Sequence, residues 1–278
     1  MQKYFEIFKT ALSNQLEYRI NFISSFIFSL IPFGVNTLLW LAVAIKNGSM
    51  LLGINEIISY YFVTLIVSNI TLTSSVFKIS DDIRLGELSK YIIKPYNYTL
   101  YQLMIDMPQR IIFITMNGIP ILIIYGLLSK YICFSLNVEK IFMAIILLLV
   151  GYLINFLIDF FIALYSFYFS RVSSLYTSLK VIRNIFAGVI FPLVMLPSDI
   201  LYIFKILPFA YTSYIPTMFL IKEIPVKIAL EQMITGLIWL LVLIMGTTAL
   251  WKKGILCIWR LNHMCLKCRY TNIRMQKN

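Results

Sequence analysis

A chain of 278 residues that is 60% hydrophobic and 13% charged, with a mean hydropathy of +0.85, carries more apolar surface than a water-soluble domain of that length can bury. This excludes an ordinary soluble globular protein and points to a bilayer. The net charge of +12, from 24 Lys and Arg against 12 Asp and Glu, fits either nucleic acid or basic loops facing anionic lipid, and its distribution decides between them.

The first predicted element is an amphipathic helix. Phe5, Phe8, Leu12, Leu16 and Ile20 share one face while Lys9, Ser13, Asn14 and Glu17 take others, the pattern of a helix lying in the membrane interface. The charged start leads into a long apolar run without a small-residue cleavage site, so no removable signal is expected. Crossing ~30 Å of hydrocarbon takes roughly 20 apolar residues in a helix. Six stretches are candidates: 22–45, 57–77, 111–128, 141–169, 184–196 and 228–250. The fifth is broken by Pro192 and Pro197 and continues through Pro208, Pro216 and Pro225. The continuation, 197–225, reads as two short helices dipping into the outer leaflet, a re-entrant feature that must be buried against protein. After the last span, Trp251 sits at headgroup level and Lys252 and Lys253 stop transfer.

With the N-terminus inside, 18 of the 24 Lys and Arg fall on the inner side and 6 on the outer, which places both termini in the cytoplasm. Basic loops therefore account for the excess charge, and no nucleic-acid partner is needed. The longest cytoplasmic loop, Lys78–Arg110, contains DDIRLGELSKYIIKPYNY (81–98). Ile79, Ile83, Gly86 or Leu88, and Tyr91 recur at helical spacing with Asp82, Glu87, Lys90 and Lys94 around them, predicting a short amphipathic helix that ends before Pro95. Its mixed charge favours a protein partner over anionic lipid.

The order of these features, with EYRINF (17–22) before the first span, LLW (38–40) near its outer end and IRLGELSKYIIKP (83–95) after the second, resembles the permease subunits of type-2 ABC transporters over roughly residues 1–255. The resemblance implies an all-α membrane domain of about six transmembrane helices, with an N-terminal interfacial helix, a cytoplasmic coupling helix and a proline-broken re-entrant region before the last span. It also implies a second permease, identical or paralogous, and a cytoplasmic ABC ATPase that docks on the coupling helix. Asp82, Ile83, Arg84, Gly86, Glu87, Leu88, Lys94 and Pro95 would form that coupling site, with Arg84 and Glu87 as contacts and Gly86 allowing close packing. The chain has no G-x-x-x-x-G-K-[ST] loop, so ATP and Mg are expected on the separate ATPase and no cofactor in this chain. Residues 256–278, a basic cytoplasmic tail, depart from the family pattern.

Asp159 falls within the fourth span, where a lone carboxylate costs several kcal/mol by order of magnitude unless neutral, paired or in water. A translocation-path contact, an inter-subunit hydrogen bond and a position near the aqueous end all remain open for it. Asn69, Thr71, Thr73, Ser74 and Ser75 give the second span a polar half, suited either to close helix packing or to a substrate path. The clusters YSFYF (165–169) and YTSYIP (211–216) read as aromatic belts at the inner and outer faces. Cys257, His263, Cys265 and Cys268 are ligand types for zinc, but their spacing lacks separated knuckles, so no metal site is expected. No catalytic motif occurs, and the sole histidine lies in the tail. The expected function is an ATP-driven exporter subunit in a bacterial plasma membrane, moving an amphipathic drug, peptide antibiotic or lipid-linked molecule. The alternatives are a non-transporting membrane immunity protein and an integral membrane lipid enzyme.

Overall fold

The computed structural model describes the backbone of residues 2–17, 19–47, 53–132, 138–169, 172–222 and 224–275, with side chains over most of these up to 256. Among the described residues every regular element is helical: α1 (Gln2–Glu17), α2 (Arg19–Asn47), α3 (Ile54–Thr71), α4 (Ser75–Arg84), α5 (Leu88–Ile92), α6 (Tyr98–Leu128), α7 (Val138–Leu164), α8 (Ser173–Phe186), α9 (Ser198–Ile206), α10 (Tyr214–Ile221) and α11 (Val226–Met275). Five segments are long and apolar enough to cross a bilayer: Ser24–Lys46, Ile54–Arg84, Tyr98–Leu128, Lys140–Phe167 and Lys227–Leu256. The chain is an all-α, multi-pass membrane protein.

Local chemistry sets the ends of these helices. At α3 the Glu56 carboxylate accepts from the Gly53 amide at 3.2 Å, and Leu72 turns extended to stop the helix. At α6 the Asn97 side chain accepts from the Thr99 and Leu100 amides, so the third span starts at Tyr98. That start shortens the expected cytoplasmic loop of 78–110 and carries Asp106 and Arg110 into the bundle, where both are buried.

The centre of the bundle is α7. Ile154, Phe156, Phe160, Ala163 and Leu164 are buried, and α11, α4, α3 and α10 pack around them. The amphipathic α1 lies along α6, with Ala11 buried and the Gln15 amide donating to the Ile105 carbonyl at 3.1 Å. It thus has one side packed on protein, with Phe5 exposed on the other.

The fifth expected span is made of pieces. The 14 residues of α8 rise about 21 Å, short of the hydrocarbon thickness, and the chain then breaks into a 3₁₀ turn after Pro192, α9 after Pro197, a 3₁₀ turn from Pro208 and α10. Breaking a helix in lipid frees carbonyls that must find donors. Here side chains supply them: Tyr60 donates to Gly188 at 2.6 Å, Tyr61 and Trp40 to Ile190 at 3.0 and 3.1 Å, Thr71 to Thr212 at 2.7 Å, and Trp239 to Ile206 at 2.6 Å. The cluster 211–216 is not an outer belt. Tyr211, Thr212, Ser213, Tyr214 and Ile215 are buried against α3 and α7, close enough that a Cβ on Gly151 would strike the Tyr211 carbonyl.

Candidate functional site

Two ion pairs lie inside the bundle. Asp159, 0% exposed, receives the Arg183 guanidinium from α8 at 2.5 Å and the Thr73 hydroxyl from the α3–α4 break. Asp106 receives Arg110, one turn along α6, at 3.3 Å, together with the Tyr152 hydroxyl at 3.1 Å and the Ser74 amide at 3.2 Å. The lone carboxylate expected in the fourth span is therefore paired within its own chain, and its reading as a group near water does not hold. Arg183 and Arg110, counted from sequence as cytoplasmic cations, are buried partners of these acids. Two consecutive residues, Thr73 and Ser74, bridge α3–α4 to both pairs.

The polar half of the second span divides between packing and a cavity. Thr71 hydrogen-bonds Thr212, and the Asn155 amide donates to the Thr71 carbonyl at 2.6 Å. Asn69 donates to Leu65 at 2.8 Å and faces a cavity of about 210 Å³ between α2, α3, α7 and α8. Arg183, Lys180, Asn184, Asn155 and Ser213 also line it. Asn155 Oδ1 and Ser213 Oγ are buried without a hydrogen-bond partner among the described residues, so the wall carries free polar capacity. The cavity brings Asn69 within one lining with Arg183, the partner of Asp159; Thr73 sits behind that ion pair.

The helix expected from Asp81 to Lys94 is two helices. Between α4 and α5, Gly86 has a φ of +73°, a left-handed conformation that glycine adopts without penalty. Among the described residues, its chain neighbours aside, nothing lies within 4 Å of a Cβ placed there, so Gly86 serves the turn and not packing against them. Asp82 faces inward, accepting the Tyr98 hydroxyl at 2.7 Å and the Gln102 amide at 3.2 Å. Ile83 and Leu88 are likewise buried, so these three anchor the turn. Arg84, paired with Asp81 at 3.1 Å, and Glu87, paired with Lys90 at 2.8 Å, remain outside. Lys94 and Pro95 are exposed too, beside Leu85 and an Ile93 that is 85% exposed.

The tail residues Cys257, His263, Cys265 and Cys268 have side chains outside the described residues, and the described ones hold no cluster of three or more His, Cys, Asp or Glu. A family model described as ABC-2 family transporter protein matches residues 30–257. The chain belongs to the ABC-2 transporter family. It is the permease of an ABC transporter, a membrane subunit of a kind that is generally non-catalytic and that associates with an ABC ATPase. No curated protein matches the permease.

Proposed function

We propose that this permease is the transmembrane subunit of an exporter in a bacterial plasma membrane, with the α4–α5 turn as the docking point of its ATPase. The exposed turn carries the reading: Arg84, Leu85, Glu87 and Ile93 stand outward on a base fixed by Asp82, Ile83 and Leu88. Apolar side chains ringed by charge suit a protein contact, and Gly86 leaves room for close approach from outside. ATP and Mg belong to the ATPase, and this chain needs no cofactor of its own. A second permease, identical or paralogous, completes the transporter.

Residues 1–255 make up the membrane domain and 256–278 a basic cytoplasmic tail. With Arg110 and Arg183 removed from the inner count, 16 Lys and Arg still face 6, which supports both termini in the cytoplasm. An amphipathic substrate suits the cavity between α2, α3, α7 and α8, whose wall combines Asn69, Asn155 and Lys180 with Phe33 and Leu65.

The test is an Arg84→Ala/Glu87→Ala double variant in the complex purified from its host. Removing interface side chains worth about 1–2 kcal/mol should weaken ATPase binding roughly tenfold and lower substrate-stimulated ATP hydrolysis, with membrane insertion intact. Normal stimulation in a well-folded double variant overturns the docking assignment.

A further inference from the structure

Beneath α1 lies a cleft of about 710 Å³. The polar face of α1 forms one wall with Lys3, Glu6, Asn14 and Gln15; Lys78 of α4 and Lys94 before α6 close the other. Three ammonium groups thus face a single carboxylate. No ion pair joins Lys3, Lys78 or Lys94 to an acid among the described residues. Lys94 Nζ is held over the rings of Tyr91 and Tyr96, at 5.7 and 5.9 Å from their centroids. Gln15 spends its amide on the Ile105 carbonyl and leaves Oε1, buried and unpartnered among the described residues, as an acceptor.

The aromatic lining of the cleft is of the kind found at a membrane interface. Tyr96 and Tyr101, both in the lining, stack at 5.1 Å, amphipathic rings suited to the headgroup level. Phe5, on the outer side of α1, is 69% exposed. We infer that this cleft binds the headgroup of an anionic phospholipid, with Lys3, Lys78 and Lys94 around the phosphate and Gln15 Oε1 accepting from a headgroup hydroxyl. The bilayer holds phosphate at high local concentration at this depth, and each lysine near an anionic surface adds to the attraction. The site is independent of which substrate the transporter moves, and it shares Lys94 with the expected coupling set.

The test uses the full chain in detergent, with lipid retention read by native mass spectrometry after exchange into phosphatidylglycerol or phosphatidylcholine. Wild type should retain phosphatidylglycerol in preference, and K3A/K78A/K94A should bind it at least roughly tenfold more weakly. The single Lys78→Gln variant, a smaller perturbation to folding, should fall between. K130A/K227A, which removes two exposed lysines elsewhere, should behave as wild type. Equal retention by wild type and the triple variant, or equal loss in the K130A/K227A control, overturns the inference. Displacement of the lipid by millimolar inorganic phosphate would assign the cleft to a soluble phosphate and overturn the lipid assignment.

Discussion

Asp159 and Arg183 are worth more to the fold as a pair than either is alone. Desolvating two charges is offset only while each has the other and its hydrogen bonds, and removing one partner from a buried pair costs about 3–5 kcal/mol. Arg183→Met should therefore lower the melting temperature of the purified permease sharply. Asp159→Asn combined with Arg183→Met should recover most of that loss, since Asn still accepts from Thr73. Equal melting temperatures for the single and double variants would show that the pair does not act as a unit. Asp159 was conspicuous in the sequence because it interrupts an apolar run. Its partner was not: Arg183 lies on another helix and reads as a loop cation at the edge of a short hydrophobic segment. For Asp106 and Arg110 the signal was present as an acid and a base four residues apart, but these same charges kept the stretch out of the charge-free run that begins at 111, so it read as loop.

At the level of elements, apolar lengths located the long helices, while the proline-broken segment could be recognised but not drawn. Pro192, Pro197 and Pro208 foretell where helices stop. They say nothing about which side chains from α2, α3 and α11 accept the task of pairing the freed carbonyls, because those contacts join residues up to 153 positions apart. Gly86 shows the reverse difficulty: helical spacing continued through it, and the positive φ that splits α4 from α5 overrode the pattern. Two glycine substitutions separate strain from crowding. Gly86→Ala should cost only about 1–2 kcal/mol, for a left-handed backbone with open space around it. Gly151→Ala should destabilise more, because the new methyl meets the Tyr211 carbonyl, a backbone atom held by the packing of 208–221. Thermal unfolding of both variants checks the order, and a greater loss from Gly86→Ala would refute it.

For the whole molecule, the proposed orientation has its own measurement. In a chain whose native cysteines are replaced, Ser89→Cys should react with a membrane-impermeant maleimide only after cells are opened, and Ser129→Cys in intact cells. The opposite pattern would invert the topology. The proposed orientation rests on where the basic residues fall along the chain, and moving two cations to the interior leaves that asymmetry standing. One further property belongs to the bundle as a mechanical body. The ten residues of α4 make a rod about 15 Å long, anchored through Asp82 beside the Gly86 turn and tied at Thr73 and Ser74 to both buried carboxylates. Beside it, Ser80 meets Ser166 at 2.6 Å, a hydrogen bond near mid-rod. One short helix therefore links the exposed turn to Asp106 and Asp159, so the carboxylates of both buried ion pairs lie at the far end of the element that meets the surface.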